Sequence, residues 1–153
     1  SEAVDPTPTP EPEGPTIWVP GRGTVGLFNP IQSSAPNFSW NEATKGGSRI
    51  PLNTGVTAQI EKVAIALQPL RDKFGPMNIN SWYRPPDVNA SVGGASNSRH
   101  LYGDGVDVYT TQYNIYDFQR WCESNWTHGG VGRGANKGFV HLDCRGYYAV
   151  WNY

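Results

Sequence analysis

Three histidines and a few carboxylates set the chemistry open to this chain. His100 stands seven residues before Asp107 in Ser98-Arg-His-Leu-Tyr-Gly-Asp-Gly-Val-Asp107, with Gly103 and Gly105 between them. Those glycines let the backbone turn sharply, which brings an imidazole and a carboxylate together. Both groups are donors of the kind an open zinc site uses, where three protein ligands leave a fourth position free. A third donor has to come from His128 or His141. His141 lies in Phe139-Val-His-Leu-Asp143, which reads as a strand, so His141 and Asp143 face one way and Leu142 and Cys144 the other. Asp143 is thereby placed near the metal, either as a general base or as a group that orients a ligand from behind. Zinc in such a site acidifies bound water to a pKa of about 7 and polarises a carbonyl, as amide hydrolysis at neutral pH requires. A calcium loop around Asp104 and Asp107 lacks the alternating oxygen ligands and the closing glutamate of the EF-hand pattern.

The elements that must position these groups can be read from periodicity. Val56, Ile60, Val63, Leu67, Leu70 and Phe74 recur at helical spacing, which predicts a helix over 54–74. Asn53 or Thr54 can cap its start and Gly75-Pro76 ends it; Pro69 is expected to kink it or split it near Gln68. Residues 78–84 read as a strand stopped by Pro85-Pro86, and 87–97 as a small-residue segment leading to His100. A second strand over 106–109 puts Asp107 and Tyr109 on the face opposite Val106 and Val108. A second helix is expected over 113–124, with Phe118, Trp121 and Cys122 on one side, and a third strand over 139–144. Gly129 to Gly134 resembles a phosphate loop only loosely, no Lys-Ser/Thr follows, and it reads as a flexible turn region. Residues 16–52 look irregular, with Phe38 and Trp40 packing over the core, and the aromatics from Tyr147 to Tyr153 pack on the domain.

Composition bounds the rest. The 153 residues suit one domain, expected over 16–153. Residues 1–15 are rich in proline and acid and read as a linker that cannot build a core. Net charge is -1, with no basic face for nucleic acid. No apolar run approaches the roughly 18 residues of a membrane span. Six Trp, eight Tyr and five Phe with 18 Gly and only 16% charged residues point to a loop-rich domain rather than a helical bundle. Cys122 and Cys144 form no C-x-x-C pair, which excludes a cysteine zinc site; an exported protein would join them as a disulfide.

The compound pattern resembles the zinc D-alanyl-D-alanine carboxypeptidase family. Ser98, His100, Gly103 and Asp107 match its signature S-x-H-x-x-G-x-A-x-D, with Gly105 in place of the usual alanine, a change expected to loosen the turn. Tyr83-Arg84, Asn89 and the run from Val92 to Ser98 look like the stretch that precedes the signature, and Phe139-Val-His-Leu-Asp143 is similar to the end of these catalytic domains and of related murein endopeptidases. The resemblance implies that His100, Asp107 and His141 bind Zn2+, that Arg84 binds substrate or stabilises its carbonyl oxygen, and that Ser98 contacts substrate. It implies an α+β fold, a small antiparallel sheet carrying the zinc on one face with helices on the other. Many relatives carry Glu or Asp three residues before the last histidine, or a His-x-His pair. Here Gly138 holds the first position and the pair becomes His141-x-Asp143, so the base is expected at Asp143; the inverse, Asp143 as ligand and His141 as base, also fits. The function implied is hydrolysis of amides next to D-amino acids in peptidoglycan peptides, by an exported, monomeric carboxypeptidase or endopeptidase. A phage-type lysin would share the site. Hedgehog domains share a related zinc site, so a cell-wall binding module that keeps zinc without turnover is the alternative.

Overall fold

The computed structural model describes residues 14–153. The expected linker over 1–15, Gly14 and Pro15 apart, lies outside the described residues.

The stretch expected to be irregular contains two ordered pieces. Strands β1 (Thr16–Val19) and β2 (Gly23–Gly26) pair antiparallel as a hairpin. Ser39-Trp-Asn-Glu42 then forms a capping box that starts the one-turn helix α1 (Trp40–Ala43): Ser39 N donates to Glu42 Oε1 at 2.9 Å, and Glu42 N donates to Ser39 Oγ at 3.4 Å. Phe38 and Trp40 are buried, as expected.

Helix α2 (Thr54–Phe74) runs unbroken, with Asn53 Oδ1 accepting from Val56 N at its start. The expected break at Pro69 is absent. Proline removes one N–H from the helical ladder, but Pro69 and Ile65 are both on the exposed side, where water can take the freed carbonyl. The buried stripe, including Ile60, Val63 and Leu67, joins the core shared with the sheet.

The main sheet contains β3 (Met77–Ser81), β4 (Gly105–Thr110), β5 (Gly130–Arg133), β6 (Val140–Asp143) and β7 (Ala149–Asn152), in the order β3-β4-β6-β5-β7. Helix α3 (Pro86–Ser91) and a 3-10 turn (Arg99–Tyr102) lie between β3 and β4, and helix α4 (Ile115–Asn125) follows β4. The fold is α+β, but the sheet is not wholly antiparallel. After β6 the chain reverses and lays β7 on the free edge of β5, so that β5 and β7 run parallel. Among the described residues no helix is long and apolar enough to cross a membrane.

Register gives the sheet two different faces. Ser81, Asp107, His141, Gly132 and Trp151 sit opposite one another in one row across all five strands. The neighbouring row, Val106, Leu142 and Val131, points the other way and is fully buried with residues of α2 and α4. The expected turn at Gly129 to Gly134 is therefore a correction: most of it is strand β5, inside the sheet. Glycine is needed at 132 because a Cβ there would stand 2.5 Å from Tyr153 Cε2 and 2.8 Å from His141 Cβ.

Two further expectations change. Gly105 does not loosen a turn. It begins β4, and a Cβ there would lie 2.8 Å from Arg99 Cβ and 3.0 Å from His141 Cε1. Cys122 and Cys144 are buried free thiols rather than a disulfide, each filling a small apolar space in the core. Burial pushes both thiols up, Cys144 to about 12.

Restoring the family residue with Gly105→Ala should thus destabilise the protein by about 1–3 kcal/mol, through overpacking against Arg99 and His141, and lower its melting temperature. Thiol titration should find both cysteines unreactive in the native protein and both reactive in denaturant without reductant; a disulfide would leave neither reactive.

Candidate metal centre and cleft

His100, Asp107 and His141 converge on one point. One donor atom from each lies within 4.8 Å of the other two, and all three residues are buried. Each comes from a different piece of the fold. Asp107 and His141 are cross-strand partners on β4 and β6, while His100 is delivered by the 3-10 turn between α3 and β4. Asp107 Oδ1 is 3.0 Å from His141 Nδ1 and 3.2 Å from His100 Nε2.

The far side of each imidazole is already committed. His100 Nδ1 is 2.7 Å from the carbonyl of Trp82, which can only accept, so Nδ1 carries the proton and Nε2 turns a lone pair inward. His100 Nε2 is buried without a hydrogen-bond partner, its 3.2 Å approach to Asp107 being off the line of such a bond. The Trp82 indole in turn donates to Gly103 O at 3.1 Å, tying the strand end to the turn it supports. His141 Nε2 lies 2.9 Å from Asp143 Oδ2. With Asp143 ionised, that nitrogen donates and Nδ1 presents its lone pair to Asp107. Two lone pairs and a carboxylate oxygen meeting at about 3 Å repel unless positive charge enters between them. The directions of titration show the same demand for positive charge, met in the absence of a cation by protons on the imidazoles. Burial alone would raise Asp107, yet the two imidazoles hold it well below the usual carboxylate range. Burial alone would lower His141, yet Asp107 and Asp143 raise it. Two histidine nitrogens and one carboxylate, with an orphaned buried nitrogen among them, fit a divalent cation, and an N2O donor set with an open side suits zinc.

Asp143 stands behind this group and not in the cleft. It is fully buried, and its Oδ1 accepts from Gly130 N at 2.8 Å and from Arg145 Nε at 2.9 Å. Its Oδ2 accepts from Arg145 Nη2 at 2.7 Å as well as from His141. Burial would raise its pKa, but the donors from His141, Arg145 and Gly130 hold it well below the usual range. A carboxylate so occupied has no lone pair free to take a proton from water. The carboxylate expected as base thus sits hydrogen-bonded behind His141, where it can orient that ring.

Arg84 and Ser98 both line the open cleft, which has a volume of about 820 Å³. Arg84 Nε donates to Ser81 Oγ at 3.0 Å, and its Nη2 lies 3.6 Å from Asp107 Oδ2. Its backbone N donates to His100 O at 3.0 Å, so the arginine and the histidine turn are held together. Ser98 Oγ accepts from His100 N at 3.3 Å, which makes it the cap of the turn. His128 is elsewhere, packed against Trp126 with ring centroids 4.8 Å apart.

The family described as Peptidase M15 matches residues 36–143. The chain belongs to the Peptidase M15 family. All six residues singled out above, Arg84 to Asp143, lie inside the matched stretch. The zinc D-Ala-D-Ala carboxypeptidase of Streptomyces albus G is 46% identical over 44 residues, 28% of this chain and 17% of that protein. This M15 chain thus matches only a small part of that relative's length.

Several residues of the M15 site were not singled out from sequence. Trp82 acts through its backbone carbonyl, which leaves no mark in residue type. Arg145, Phe139, Trp151 and Tyr153 line the cleft from β6, β7 and their flanking loops. A signal was present: Gly130, Gly132 and Gly134 alternate at the strand period, as expected where large side chains from neighbouring strands cross one face.

Removing the carboxylate behind His141 should loosen the centre without touching a donor. Asp143→Asn is expected to weaken zinc affinity by about 10–100-fold, measured by competition with a chromophoric chelator, with the fold retained by circular dichroism. Unchanged affinity would contradict the orienting role.

Proposed function

We propose that this chain is a zinc-dependent peptidase that hydrolyses amide bonds next to D-amino acids in peptidoglycan stem peptides or cross-links. The observation that carries the reading is the His100–Asp107–His141 group, its inward-facing nitrogens and carboxylate opening on a cleft flanked by Arg84. Membership in a peptidase family and the partial likeness to a zinc D-Ala-D-Ala carboxypeptidase support the same substrate class. Export follows as part of this proposal, since the substrate lies outside the cytoplasm.

Zinc bound by His100, Asp107 and His141 would supply Lewis acidity toward the scissile carbonyl and a water acidified to a pKa of about 7. The chain's own residues supply the rest. Trp82 O and Asp143 fix the tautomers of the two histidines, so that His100 Nε2 and His141 Nδ1 keep their lone pairs for the metal. Arg84, held by Ser81, offers a guanidinium that can take a substrate carboxylate with two bonds or offset charge on the carbonyl oxygen. Burial of all three donors keeps bulk water from competing at their far sides.

One observation favours the second reading, a cell-wall module that keeps zinc without turnover. Among the described residues that line the cleft, Asp107 is the one carboxylate, and it belongs to the metal group. No acid is left over as a free general base. The two readings separate on one measurement. Purified peptidoglycan incubated with the zinc-loaded protein should release D-alanine or uncrosslinked peptides, identified by mass spectrometry. Chelation should abolish the products and added zinc restore them. Zinc-dependent binding to the same material with no new peptide would establish the module instead.

A further inference from the structure

The cleft lacks a spare carboxylate, so its remaining polar groups have to be asked what they can do. Gly138 occupies the place three residues before His141, with φ +89° and no atom within 4 Å of where a Cβ would stand. The wall beside His141 is built instead by β7, which lies beyond the stretch matched to the M15 family. The Trp151 ring is 5.2 Å from the His141 ring, and Tyr153 follows it at 6.4 Å.

Tyr153 is 45% exposed, with part of its ring against the sheet. Its backbone N donates to Arg133 O at 3.2 Å, continuing the parallel pairing of β5 and β7. Its ring crosses Gly132, where a Cβ would stand 2.5 Å from Cε2. The Phe139 ring meets it edge-on at 5.1 Å. Tyr153 lines the cleft together with Arg84, His100, Asp107 and His141. A phenol is protonated at neutral pH, so it can donate a hydrogen bond and does not act as a base.

We propose that Tyr153 is a catalytic residue: its phenol O–H donates a hydrogen bond to the oxyanion that develops on the scissile carbonyl, sharing that charge with Arg84. The inference rests on the peptidase reading above. No proton is transferred; the phenol stays neutral and its contribution is a donor held in place before the charge appears. A donor of this kind, removed from an oxyanion site, typically costs about 10²–10³-fold in kcat. Packing against Gly132 and Phe139 restricts the ring before it engages the anion, which lowers the entropy that ordering it costs.

The test uses the zinc-loaded full chain and Tyr153→Phe, which keeps the ring and so the packing. Two readouts are compared: kcat and KM on a stem peptide ending in D-Ala-D-Ala, and affinity for a phosphinate analogue of that peptide, whose tetrahedral anion mimics the oxyanion without turnover. Tyr153→Phe is expected to lower kcat by about 10²-fold with KM within about threefold, and to weaken phosphinate binding by about 10-fold or more, at unchanged zinc content and melting temperature. Wild-type phosphinate affinity in the variant, or wild-type kcat, overturns the proposal and leaves the peptidase reading standing. Loss of zinc in the variant also overturns it, since the role is then structural. A wild-type protein that neither cleaves the peptide nor binds the phosphinate overturns the peptidase reading, and this proposal with it.

Discussion

Asp107 is a buried carboxylate whose Oδ1 faces two imidazole nitrogens, and the opposite nitrogen of each ring is spent on a protein acceptor. Burying an ionised carboxylate is expensive unless charge or hydrogen bonds compensate. Here the compensation is not a pair of neutral donors, because Trp82 O and Asp143 have drawn the ring protons outward. The group is therefore organised for a positive charge at its centre. Most of what surrounds it can be understood as holding that arrangement. Trp82 contributes a carbonyl to one histidine and an indole to Gly103 O; Arg145 and Gly130 N hold the carboxylate that holds the other.

The sheet makes this possible by keeping its two faces chemically distinct. Val106, Leu142 and Val131 anchor one face in the core, and any slip by one residue would turn that row toward the cleft and the metal group into the helices. The apolar row thus fixes the register that aligns Asp107 with His141. Glycines on the site face are the counterpart. They keep the sheet thin where His141, Trp151 and Tyr153 need the space, and each removes a Cβ that would push a ring off the centre.

How much of this was legible in the sequence depends on the kind of interaction. The grouping of His100, Asp107 and His141 was legible because it rests on residue type and on spacing within single elements, and the helix over 54–74 because periodicity reports burial directly. The helix's continuity through Pro69 was not, since it depends on which side of the helix meets water. Gly129 to Gly134 was misread because glycine at high density signals a turn unless the side chains that displace it are known, and those sit on β6 and β7. The cysteines were judged from the compartment rather than from packing. Asp143 lies beside His141 as its spacing suggested, whereas the donors that engage it, Arg145 and Gly130, are brought to it by tertiary structure. The parallel edge of the sheet escaped for the same reason: strand direction at β7 is decided by which edge remains free.

The region matched to the M15 family ends at Asp143, yet the cleft does not. The family stretch supplies the metal group and Arg84, while Trp151 and Tyr153 close the same cleft from a strand that the match omits. A centre that lacks an acid at Gly138 and engages Asp143 from behind has lost the usual place for a proton acceptor. Under the proposed mechanism such a site depends more heavily on groups that stabilise charge without moving protons, and the sequel to β6 brings an indole and a phenol to the cleft. The β7 edge is in any case part of the cleft rather than a trailing piece of the fold, and its parallel pairing with β5 is what carries Tyr153 back to His141.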